Sequence, residues 1–146
     1  MVSIEKNGVF LDFELAPDVK ATAEEILPFL ELPHVNQYRL IYMRSSGSSA
    51  RAYARIWSMP RIWQVALEIK AYYVIEVLSE YFDKLEDERK QKVIIHELLH
   101  IPKTFSGALV PHTCFGHRIN EKRVEEIYKK MLERRLTAES SLDSRE

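Results

Sequence analysis

Cysteine is nearly missing from this sequence. The single Cys114 excludes an intrachain disulfide and suits a reducing compartment, so a cytoplasmic protein is expected. With 4 glycines and 6 prolines the chain is neither low-complexity nor collagen-like. No apolar run approaches the roughly 20 residues that a bilayer-spanning helix needs. The segment Met1 to Glu5 lacks the basic-then-apolar order of a secretion signal. An excess of charge of one sign is missing too. Lys and Arg number 21 against 22 Asp and Glu, so net charge gives no pull toward nucleic acid or an anionic membrane, and neither partner is expected. What is present is 146 residues, 46% of them hydrophobic, which is enough for one domain with a core and too short for two.

Along the chain, Ala16 to Leu32 reads as a helix that Pro33 stops. Val35 to Arg44 is rich in β-branched and aromatic residues and reads as a strand. The small polar run Ser45 to Ser49 separates it from a second strand near Ala52 to Trp57, an arrangement expected to form a hairpin. Pro60 opens a short helix through Ile69, and Tyr72 to Leu78 forms a third strand. One helix is expected from Lys84 to Ile101, solvated at its start and buried at its end, because Pro102 drives the residue before it out of helical geometry. An irregular segment with Gly107, Pro111 and Gly116 leads to a last amphipathic helix, Ile119 to Leu136. Trp63 and Tyr128 read as core aromatics. A single domain over residues 1–136 with a disordered tail over 137–146 is expected.

His96-Glu97-Leu98-Leu99-His100 carries the chemistry. Two histidines four apart on a helix lie about 6 Å apart along its axis, on one face, so their imidazoles can converge on one ion. Glu97 sits beside the pair, placed to reach a water without binding the metal. Neutral nitrogen ligands, an open coordination position and a nearby general base are what zinc hydrolysis requires. Random shuffling of this composition would produce on the order of 0.02 such motifs per chain, which favours a metal over two histidines filling a core.

A catalytic zinc takes three protein ligands. Four of the 5 histidines lie between His96 and His117, so the supply is local. His112 is the first candidate, because Gly107 and Pro111 let the chain turn back. His117 is the second, as ligand or as a histidine behind one, and Glu121 or Glu125 follows. Cys114 could also bind zinc, but a plain thiol is the commoner state. Tyr72, Tyr73, His117 and Arg118 are candidates for stabilising an oxyanion. Arg44, Arg51, Arg55 and Arg61, interleaved with Tyr53 and Trp57, could hold nucleic acid or an acidic substrate tail, though solvated strand arginines are the commoner outcome.

The run Ile95 to His112 resembles the signature of a small family of metallopeptidases found in archaea and phages, and the resemblance extends back to about Tyr72. It implies a minimal zincin-like domain with His96, His100 and His112 as zinc ligands and Glu97 as the catalytic base. Ala108 stands where many members have a second glycine. The wider zincin resemblance implies that the strand before the active helix pairs with an extended peptide, which points here to Tyr73, Val74, Ile75 and Glu76, while a plain buried core strand is the equal alternative.

Together these readings lead to an α+β domain: a small, mostly antiparallel sheet of about three strands packed on an active-site helix and flanking helices. The expected function is zinc-dependent hydrolysis of a peptide or protein substrate. The rivals are another zinc hydrolase such as an endoribonuclease, and a binding module in which zinc is only a clamp.

Overall fold

The computed structural model describes residues 2–6, 9–114 and 117–145; the side chains of residues 2–6, 9, 10, 114 and 117 are outside that description. Gly116 and the side chains of Cys114 and His117 therefore lie outside the described residues.

The chain opens with two strands, β1 (Val2–Lys6) and β2 (Val9–Leu15), paired antiparallel with Val2 opposite Phe13 and Lys6 opposite Val9. Helix α1 (Pro17–Ile26) begins with proline at a position where its missing N–H costs nothing. It ends earlier than Pro33, because Pro28 cannot continue the α-helical ladder and a 3-10 turn, Leu27–Phe29, replaces it. Strand β3 (Leu40–Ser46), edge strand β4 (Ala54–Trp57), helix α2 (Arg61–Leu67) and strand β5 (Tyr73–Leu78) follow. Then come the short α3 (Ser79–Phe82), the motif helix α4 (Asp87–Leu98), the two-residue strands β6 (Thr113–Cys114) and β7 (His117–Arg118), and the long α5 (Glu121–Asp143).

The molecule is α+β, as expected, but its main sheet has five strands in the order β1-β2-β3-β5-β4. The two N-terminal strands escaped the sequence reading. The expected β3–β4 hairpin does not form. β5 lies between them, parallel to β3 (Leu40 opposite Tyr73) and antiparallel to β4 (Ile56 opposite Ile75). The buried pattern of β5 explains the insertion. All of its residues but Val74 are buried, and only an interior strand lets so many apolar side chains leave water.

One face of the sheet, with Leu40, Tyr42, Tyr73, Ile75 and Val77, packs on Val19, Ala23 and Ile26 of α1 and on Ile94, Ile95 and Leu98 of α4. Val124, Tyr128 and Met131 of α5 complete that core, so Tyr128 is a core aromatic. Trp63 is not; it is 58% exposed. Helix α2 buries Gln64 instead and is held by that side chain. Helix α5 continues to Asp143, through residues expected to be disordered. Beyond Leu136 the segment keeps i to i−4 bonds, including Thr137 Oγ1 to Glu133 O at 3.0 Å and Ser140 Oγ to Leu136 O at 3.0 Å. Lack of apolar periodicity therefore marked an exposed helix end, not loss of helix. No helix among the described residues is long and apolar enough to cross a membrane.

Two of the four arginines around the serine-rich loop are consumed internally. Arg44 donates to both Asp18 oxygens, at 2.9 and 2.7 Å, and to Asp83 at 3.0 Å, pinning β3 to α1 and α3. Arg55 donates to Glu76 at 2.9 and 3.1 Å.

Candidate metal centre

Helix α4 presents its first histidine from a stripe that repeats at helical spacing. Arg89, Lys92, Val93 and His96 face a cleft, while Ile94, Ile95 and Leu98 are buried against the sheet. The helix stops at Leu98, short of the expected Ile101. Its last turn tightens: the His100 N–H bonds Glu97 O at 3.1 Å, and the Ile101 N–H bonds Leu98 O at 3.1 Å. His100 is thus held in the closing turn, with its ring centroid 5.3 Å from that of His96.

The loop that follows returns His112 to this pair through a series of backbone clamps. Gly107 adopts φ +94°, and a Cβ there would collide with the Met59 carbonyl oxygen, so glycine is required. The Tyr73 hydroxyl accepts from the Gly107 N–H at 2.8 Å and donates to Ala108 O at 2.8 Å. Gln64 Nε2 donates to Met59 O at 2.9 Å and Ser106 O at 2.8 Å. Past these braces, the Val110 N–H bonds His100 O at 2.7 Å, and Val110 O accepts from His100 Nδ1 at 2.6 Å. The second bond fixes the tautomer and leaves His100 Nε2 free to ligate.

The outcome is a cluster of His96, His100 and His112, whose ligating atoms lie within 4.8 Å of one another. His96 Nε2 and His112 Nε2 are 3.1 Å apart. A tetrahedral zinc with bonds near 2.0–2.1 Å would hold two nitrogens roughly 3.3 Å apart, so the donor set fits a small N-preferring cation. Burial, with help from His100 and His112, lowers the His96 pKa to about 4. Burial also lowers that of His100, against the opposing bond to Val110 and alongside the charge of His112. Neutral imidazoles are the form a metal needs.

Glu97 lines the same cleft and is 7% exposed. Burial raises its pKa to about 7. No hydrogen bond or ion pair engages its carboxylate among the described residues. A buried carboxyl without a partner opposes folding, and such groups concentrate where chemistry is done.

The other residues singled out from sequence fall elsewhere. Glu121 and Glu125 line the cleft but are not in the imidazole cluster. Glu125 is bound to Lys92 at 2.6 Å, and that bond holds its carboxyl below the usual range. Tyr72 and Arg118 are not among the cleft-lining residues. The strand Tyr73, Val74, Ile75 and Glu76 cannot receive a peptide, because both edges of β5 are occupied by β3 and β4. Glu76 is 1% exposed, bonded by Ser45 Oγ at 2.5 Å, Arg55, and Trp57 Nε1 at 2.8 Å. Burial pushes its carboxyl up, but those bonds together outweigh burial and hold it below the ordinary value.

The edge that does face the site belongs to β4. The cleft, about 590 Å³, is walled by Ala52, Tyr53 and Ala54 on the strand side, by the Arg89–Glu97 stripe, and by Asn120 to Glu125 of α5. Sequence reasoning missed Arg89 and Lys92, although both sit at i−7 and i−4 from His96 and so share its face.

A family model described as putative phage metallopeptidase matches residues 11–138. The chain belongs to that family. The match runs from β2 into α5 and so takes in the imidazole cluster, Glu97 and the loop carrying His112. No curated protein and no solved structure matches it. In this member of the metallopeptidase family, the three imidazoles are the group among the described residues that could hold a metal ion.

Tyr73→Phe tests the loop brace. The ring keeps its edge contact with Phe105, at 4.9 Å between centroids, so the fold should survive. The Gly107 N–H and Ala108 O lose their partner, and metal affinity should fall about tenfold, as it does when a group supporting a ligand is lost. Competition with a chromophoric chelator measures this, and unchanged affinity would mean that the hydroxyl does not position His112.

Proposed function

We propose that this domain is a zinc-dependent peptidase of minimal zincin-like architecture. The observation that carries the reading is the convergence of three imidazoles, one of which, His96, lines a cleft together with the adjacent buried carboxylate of Glu97. His96, His100 and His112 would hold the ion, and their all-nitrogen donor set suits zinc better than a harder, oxygen-seeking cation. When bound, the ion supplies Lewis acidity, polarising a carbonyl and acidifying a water.

The chain's own residues supply the rest. The Glu97 carboxylate takes the proton of the attacking water and delivers it to the departing amide nitrogen. Burial raises the affinity of this carboxyl for a proton, which suits a group that must both accept and deliver one. The bond between His100 Nδ1 and Val110 O keeps that ring aimed while charge changes nearby. An extended peptide would lie along the outer edge of β4, where Ala52 to Ala54 meet the cleft and no strand pairs among the described residues. Main-chain pairing of this kind tolerates many sequences.

The test combines metal analysis with cleavage of a mixed peptide library read by mass spectrometry. About one zinc per chain, cleavage abolished by a chelator and restored by zinc, is the expected result. Stoichiometric zinc with no cleavage across the library would leave zinc as a structural clamp, and no zinc binding would remove the proposal altogether.

A further inference from the structure

Two charges of the α4 stripe face the cleft beyond His96, and their situations differ. Lys92 is neutralised by Glu88 at 3.0 Å and Glu125 at 2.6 Å. Arg89 makes no ion pair among the described residues. Its guanidinium lies 5.9 Å from the centroid of the Tyr53 ring, and both residues line the cleft. Glu121, on the α5 wall one helical turn from the Lys92–Glu125 pair, carries the opposite sign. The cleft is therefore not uniformly basic, and attraction for an anion is local to Arg89.

We infer that Arg89 is a specificity-determining residue that binds a substrate carboxylate, an inference that rests on the peptidase reading above. A guanidinium is planar and presents paired donors that match a carboxylate, and the Tyr53 face limits its rotation and shields one side. Seven residues of helix separate Arg89 from His96, about 10 Å along the axis. An extended peptide advances roughly 3.3 Å per residue, so the carboxylate read by Arg89 sits about three residues from the scissile bond. It is supplied either by an acidic side chain at that position or by the peptide's own C-terminus. Nothing else on the cleft wall offers an unpaired cation at that distance among the described residues.

The experiment uses the zinc-loaded protein, wild type and Arg89→Ala, with matched peptides that differ only in Glu or Gln at each position up to four residues from the cut. A second set ends in a free or an amidated C-terminus. The wild type should favour one carboxylate peptide over its neutral partner by about tenfold in kcat/KM, chiefly through KM. Arg89→Ala should lose the preference, the ratio of kcat/KM between the carboxylate peptide and its neutral partner falling to about one, and Arg89→Lys should retain part of it. A preference in the first set identifies a side chain, and one in the second set identifies a C-terminus. Equal cleavage of every pair by wild type, or a preference surviving in Arg89→Ala, overturns the inference.

Binding separates its failure from failure of the peptidase reading. Fluorescence anisotropy of the same peptides on zinc-loaded Glu97→Gln protein, with and without Arg89→Ala, needs no turnover. A tenfold affinity difference that vanishes with Arg89 supports the carboxylate site even if no peptide is cut. Equal affinities, or no binding of either partner, overturn it. Arg89 is exposed on the helix surface, so its replacement leaves the fold intact, and circular dichroism checks this.

Discussion

Glu97→Gln is expected to abolish peptide hydrolysis while leaving zinc bound. Gln has nearly the same shape as Glu and none of its capacity to accept a proton, so kcat should fall about 10²- to 10⁴-fold. The three imidazoles do not depend on the carboxylate for position. His100 is held by Val110, and His112 by the loop. The same variant has a second, opposite effect on the metal-free protein. Burial raises the Glu97 pKa to about 7 from the 4.5 of an unperturbed glutamate. The folded state therefore binds this proton more tightly than the unfolded state. Folding stability is fully present below pH 4.5 and is lost as pH rises through 7, by about 3 kcal/mol once both states are ionised. Gln does not ionise. Urea unfolding of the metal-free proteins should show the variant gaining on wild type between pH 5 and pH 8. Wild-type turnover in the variant would remove Glu97 as the base, and a stability difference that ignores pH would remove its buried ionisation.

His112→Ala should lose metal far more severely than His117→Ala. The cluster is assembled from His96, His100 and His112, and removing one of three ligands costs more than the roughly 10- to 100-fold lost when a group behind a ligand is removed. Zinc content after dialysis against a weak chelator, with the loss of cleavage in parallel, gives the comparison. His117→Ala is expected to retain zinc at wild-type level. Loss of metal with His117→Ala and not with His112→Ala would reassign the third ligand.

The interior of this site was readable locally because helical geometry is local. Four residues along a helix return a side chain to the same face, so His96 and His100 were paired by spacing alone, and Glu97 beside them followed. The same rule contained Arg89 and Lys92, at seven and four residues before His96, but a charge at helical spacing is indistinguishable from a solvated face until something is seen to face it. That β5 could be read either as an open edge or as a buried core strand had a different origin. A dense run of β-formers shows that a strand is buried without saying which strands flank it. Whether a strand has a free edge is a property of its neighbours. Tyr73 and Glu76 were singled out for chemistry and serve structure: one clamps the loop at Gly107, and the other is enclosed by Ser45, Arg55 and Trp57.

Residue order alone settled the α+β class, the histidine pair with its adjacent carboxylate, and a loop able to turn at Gly107, because each follows from bonding within a few residues of chain. Only the folded chain decided that β4 supplies the open edge, that His112 joins the pair, and that Glu97 is buried with no partner among the described residues. Each of those depends on segments far apart in sequence meeting across the core, and on how much water their packing excludes.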